Sequence, residues 1–126
     1  MIEVVTGLPP RVAGVVVHGD LSAEDYRDGI RPAIEAAFAA GAPVRMMFVL
    51  DSDFDGFSGG AVWEDAKLGL SHLTGWERVA VVGDVSWVNQ SVRLFGFLMP
   101  GEVRTYPLAE RAAAEAWVTE GLSTQP

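Results

Sequence analysis

The spacing of apolar residues changes period several times along this chain, and each change marks an element. Ile2 to Thr6 is a short β-branched run closed by Gly7-Leu8-Pro9-Pro10, which reads as a strand and a turn. Arg11 to His18 is nearly continuous valine, the pattern of a strand buried on both faces. From Ser22 the period lengthens. Tyr26, Ile30, Ala33, Ile34, Ala37 and Phe38 form one stripe, and Glu24, Asp25, Asp28, Arg31 and Glu35 form the other. This predicts a helix running to about Ala40, capped by Ser22, with Glu24 and Asp25 at its positive end. Pro32 falls mid-helix and cannot donate to the carbonyl of Asp28. With Gly29 nearby, a kink or hinge is expected there. Gly41 and Pro43 end the helix.

Val44 to Leu50 reads as a second buried strand, followed by an acidic, glycine-rich loop from Asp51 to Gly60. A helix is predicted from Ala61 to about Leu73, its core side formed by Val62, Ala66, Gly69, Leu70 and Leu73. Arg78 to Val82 is the next strand, closed by Gly83-Asp84. Ser86 caps a helix over Trp87 to Met99, and Pro100-Gly101 ends it. Val103 to Tyr106 is the last strand, and Ala109 to Glu120 the last helix, with Gly121 as its stop. The order ββαβαβαβα predicts one α/β domain over residues 1–121. Its sheet is five-stranded and mainly parallel, with right-handed crossovers and four helices. Residues 122–126 read as a flexible C-terminal tail.

The Trp87 helix carries more apolar surface than one buried face uses. At about 100° per residue, Trp87, Val88, Val92, Phe95, Leu98 and Met99 share one broad face, with Asn89, Gln90, Arg93 and Gly96 opposite. Phe97 falls on the polar side, about 20° from Gln90, and Leu94 lies on its margin. Leu68 is likewise out of phase, between Glu64 and His72. Together with Phe54, Phe57 and Trp63, these residues mark either neighbour-helix packing or an apolar cleft. Such a cleft would serve a small molecule or lipid, a membrane surface contacted peripherally, or a second copy of the chain in a homodimer.

Composition narrows the partners. A length of 126 residues fits one domain, and 49% hydrophobic residues with a mean hydropathy of +0.22 supply a full core. A net charge of −8 argues against nucleic acid. The chain has no cysteine, which excludes disulfides, thiolate metal sites and cysteine nucleophiles. The longest apolar runs are far short of the roughly 20 residues a membrane span needs. The N-terminus has no secretory pattern, so the cytoplasm is the expected compartment.

Asp51-Ser52-Asp53-Phe54-Asp55-Gly56 matches the first half of a calcium loop, but the position of the bidentate glutamate is Val62. The same aspartates follow a strand, as in metal-dependent phosphoryl hydrolases. The preferred reading is a solvated acidic loop without a metal. Ser58-Gly59-Gly60 leads into a helix and could accept an anion or a phosphate. His18 and His72 read as structural, and no catalytic set or cofactor motif stands out.

Several segments together resemble the SpoIIAA-like proteins of bacteria, a group related to STAS and CRAL-TRIO proteins. They are IEVVTGLPP, GDLSAEDY, FDGFSGGAVWEDAKLGL, WERVAVVGDVSW and RLFGFLMPGEVRTYPL. The resemblance covers nearly the whole chain and implies a small α/β domain with four helices and a mainly parallel sheet. STAS regulators bind a kinase-like partner and switch by phosphorylation of a serine in a D-S-S-G-like turn. Ser58 and Gly59 match that turn, but the preceding Asp-Ser pair is not reproduced. CRAL-TRIO proteins hold lipids beneath a mobile helix on a chain about twice this length. The expected function is a non-enzymatic binding module using Phe54, Phe57, Trp63, Leu68, Leu94 and Phe97. The alternative is a STAS-type partner-switching regulator with Ser58 as acceptor and a protein partner.

Overall fold

The computed structural model describes residues 1–56, 75–86 and 101–122. Its frame is a five-stranded sheet whose spatial order, β1-β2-β3-β4-β5, follows the sequence. The strands are β1 (Ile2–Val4), β2 (Val12–Val17), β3 (Val44–Leu50), β4 (Trp76–Val82) and β5 (Glu102–Tyr106). β1 runs antiparallel to β2, and the other three pairings are parallel, so the sheet is mixed. This agrees with an opening hairpin followed by crossovers.

β1 stops two residues before the sequence suggests. Past Val4 the chain leaves the ladder, although the Val5 N–H still donates to Gly14 O at 2.9 Å. Val5 and Leu8 then cover Gly14. A Cβ at position 14 would stand 2.6 Å from Leu8 Cδ1 and 3.1 Å from Val5 Cβ. Gly14 thus interrupts the valine run where another segment must approach the backbone closely.

The first helical stretch has three parts: α1 (Ala23–Asp25), a π-helical turn (Tyr26–Ile30) and α2 (Arg31–Ala40). A reciprocal capping box starts it, with the Asp25 N–H donating to Ser22 Oγ and the Ser22 N–H to an Asp25 carboxylate oxygen. The kink anticipated around Gly29 and Pro32 takes the form of the π turn. The Arg31 N–H reaches back to Tyr26 O, and Pro32 falls in the first turn of α2, where a missing N–H costs least. The last helix, α3 (Arg111–Thr119), follows a short 3₁₀ turn (Leu108–Glu110). Gly121 stops it at φ +78°, and Leu122 beyond it packs against the core. Among the described residues these are the two helical stretches. The predicted helices over 61–73 and 87–99 lie outside the described residues.

Two hydrophobic layers sandwich the sheet, and strand parity assigns each residue to one of them. Val15, Val17, Val44, Met46, Leu50 and Val81 lie on the same face of the sheet as α2 and the π turn, in one core with Tyr26, Ile30, Ile34 and Ala37. Val12, Val16, Met47, Val49, Ala80 and Val82 face α3 and its Ala114, Trp117 and Val118. Burial on both faces explains the near-continuous apolar runs of β2 and β3.

Candidate functional site

Because β2 and β3 are parallel neighbours with Val17 opposite Leu50, the residues that follow them emerge side by side at the carboxyl edge. His18 follows β2 and Asp51 follows β3. A tight turn then brings Asp53 back, with the Phe54 N–H donating to Asp51 O and the Ser52 N–H to Asp51 Oδ1 at 2.8 Å. His18 Nδ1 lies 3.4 Å from Asp51 Oδ2 and 3.3 Å from Asp53 Oδ1. Its other nitrogen, Nε2, lies 3.5 Å from Glu3 Oε1 on β1. Backbone bonds fix the frame: the His18 N–H donates to Met1 O, the Asp55 N–H to Gly19 O and the Leu21 N–H to Gly56 O. Asp55, the third aspartate of the loop, is not part of this group.

A second feature is an apolar crevice of about 230 Å³ beside the outer edge of β2. β1 pairs only with Val15 to Val17, so the Val12–Gly14 part of that edge is flanked by loop and helix instead. Val4, Leu8 and Pro9 line one wall, and Ala33, Ala36 and Ala37 of α2 the other. The small alanine side chains leave the space open. Val4 is half exposed at the rim, at 51%.

On the α3 face two arginines close the end of the helix. Arg45 Nη1 donates to Val118 O and Glu120 O at 3.2 and 2.7 Å, and Nε donates to Glu77. Arg78 Nη1 donates to Trp117 O at 2.8 Å. The Arg78 and Arg104 guanidinium groups lie 5.2 and 4.6 Å from the centroid of the Trp117 ring. A side-chain hydrogen bond with Tyr106, and next one with Glu102, raise the pKa of Arg104 above its ordinary value. This cluster joins helix to sheet.

Of the apolar residues singled out from sequence, Phe54 is half-buried and packs against the α2-side core, away from the crevice lining. Phe57, Trp63, Leu68, Leu94 and Phe97, and also Ser58, lie outside the described residues. Sequence reading placed Asp51 and Asp53 in one loop but did not join His18 to them. The available signal was that both histidine and aspartate directly follow buried strands, which a parallel sheet sets side by side. Among the described residues no helix is long and apolar enough to cross a membrane.

An open mixed sheet in sequential order, layered by helices on both faces, defines a STAS-type α/β domain. The SpoIIAA-like family model matches residues 12–119, and the chain belongs to that family. Its fold is similar to that of an uncharacterised DUF3478-family protein with a SpoIIAA-like fold from Shewanella loihica. The two share 27% identity and a TM-score of 0.73, over 94% of this chain and 92% of the other. No curated protein matches this sequence.

Proposed function

We propose that this SpoIIAA-like domain is a non-enzymatic binding module that receives a small apolar group. The observation that carries the reading is the apolar crevice between the β1–β2 loop and α2, lined by Val4, Leu8, Pro9 and three alanines. At about 230 Å³ it is smaller than the roughly 300–1,000 Å³ of drug-sized sites. The crevice is open to solvent on one side, so a single ring or a short alkyl chain laid against its apolar walls matches its size, and a whole lipid does not. The π turn, which ends three residues before Ala33, gives α2 a place to adjust around a ligand.

The test is titration with a neutral fluorescent probe such as N-phenyl-1-naphthylamine. Wild type is expected to bind saturably. Ala36→Phe, at an exposed helical position on the crevice wall, should weaken binding about tenfold or more while leaving the melting temperature nearly unchanged. Phe97→Asp serves as the comparison. Weakening by that variant alone would move the site to the 87–99 segment, and no saturable binding to wild type would end the reading.

A second reading, a STAS-type partner switch through Ser58, draws support from the fold and from one local observation. The Leu21–Gly56 hydrogen bond anchors the chain at the carboxyl edge of the sheet two residues before Ser58. Intact-mass and peptide mass spectrometry of protein purified from its native host tests it. Ser58 without phosphate under all growth conditions would count against the switch.

A further inference from the structure

We propose that His18, Asp51 and Asp53 form a binding site for a divalent transition-metal cation of the zinc type. The three donor atoms lie within 4.8 Å of one another. A solvated acidic patch offers only oxygen; this site also offers an imidazole nitrogen, placed between two carboxylates. Nδ1 faces both carboxylates at once. A charge-assisted N–H···O bond closes to about 2.7–2.9 Å, and one N–H cannot point at two oxygens. Here Nδ1 is within hydrogen-bonding distance of Asp53 Oδ1 at 3.3 Å while Asp51 Oδ2 lies at 3.4 Å, so a proton on Nδ1 serves one carboxylate and a metal ion there would serve both. Ligand bonds of about 2.0–2.1 Å around a tetrahedral ion place neighbouring donors about 3.3–3.4 Å apart. Both nitrogen–oxygen separations match that value, and the three donors span no more than 4.8 Å, so a small rotation of the exposed Asp53 side chain closes the third edge.

The far side of the ring agrees. Glu3 Oε1 lies 3.5 Å from Nε2, so that when a metal takes the Nδ1 lone pair the ring proton on Nε2 faces a carboxylate. Charge points the same way. Glu3, Asp51 and Asp53 crowd one ring, and an imidazolium would balance one of them. A dication offsets the mutual repulsion of the two aspartates directly. Mixed nitrogen and oxygen donors favour zinc-like ions over calcium or magnesium, which take all-oxygen sites. Asp51 Oδ1 is engaged by the Ser52 N–H, so Oδ2 is its free ligand atom. Asp53 is exposed, which leaves the outer coordination positions to water or a small anionic ligand.

The experiment is calorimetric titration of the metal-free full chain with zinc chloride, paired with a thermal melt. One equivalent should bind and raise the melting temperature. His18→Asn and Asp53→Asn should each weaken binding at least about tenfold, and Glu3→Gln by about tenfold. His72→Asn should leave it unchanged. In wild type, nitrogen NMR should show the His18 Nδ1 resonance moving as zinc is added, a readout independent of how the variants fold. Absence of heat and of a melting shift at millimolar zinc, full affinity in His18→Asn, movement of His72 alone, or magnesium binding as tightly as zinc would each overturn the proposal.

Discussion

Arg45 stands directly opposite Arg78 across the β3–β4 ladder. Like charges paired across strands ordinarily repel, and Arg45 is only 8% exposed. Both are tolerated because the last turn of α3 leaves carbonyls without helical partners, and the two guanidinium groups supply the missing donors. In the sequence these arginines look like interruptions of apolar strands. Their purpose depends on a helix more than 70 positions away for Arg45. Arg45→Met keeps the length of the stem and removes the donors. It leaves Glu77 and two helix-end carbonyls unpaired, and should cost about 2–4 kcal/mol in urea denaturation. The same change at Arg78, whose side chain is more exposed, should cost less. His18 is a similar case: its partners lie 33 and 35 positions downstream, beyond the reach of any local pattern.

The first helical stretch shows how an element can be read correctly in outline and differ in detail. Amphipathic spacing, the Ser22 cap and the stop at Gly41 were all legible because they are local. Gly29 and Pro32 announced a break, and the backbone resolves it by widening one turn. Packing decides the identity of residue 29. A Cβ there would meet Ile2 Cβ at 2.9 Å, close to the branch point of a residue tied into β1. Helix propensity alone gives Gly29→Ala a gain of about 1 kcal/mol. The contact with β1 reverses the sign, and the variant should instead lose about 1–3 kcal/mol. Chemical denaturation distinguishes the two; a stabilised variant would mean that the helix and β1 separate easily.

At the scale of the whole molecule, the two-layer wrapping of β2, β3 and β4 follows from their apolar character on both faces. Such strands cannot be left open to water: α2, in the β2–β3 crossover, covers one face, and α3, which follows the last strand, covers the other. The candidate sites fall where this plan ends. The crevice lies where β1 is too short to cover β2, and the His18 cluster lies where two parallel strands finish together. Within the described residues, the sequence by itself determined the kinds of element, their order, the opening hairpin and the largely parallel sheet. Those features rest on periodicity, capping and turn chemistry within a few residues. Tertiary structure alone decided that His18 meets Asp51 and Asp53, that alanines of α2 face the β1–β2 loop across a gap, and that two arginines, one of them buried, close α3. Each depends on strand register and helix placement, which bring distant residues within a few ångströms without leaving a repeat in the chain.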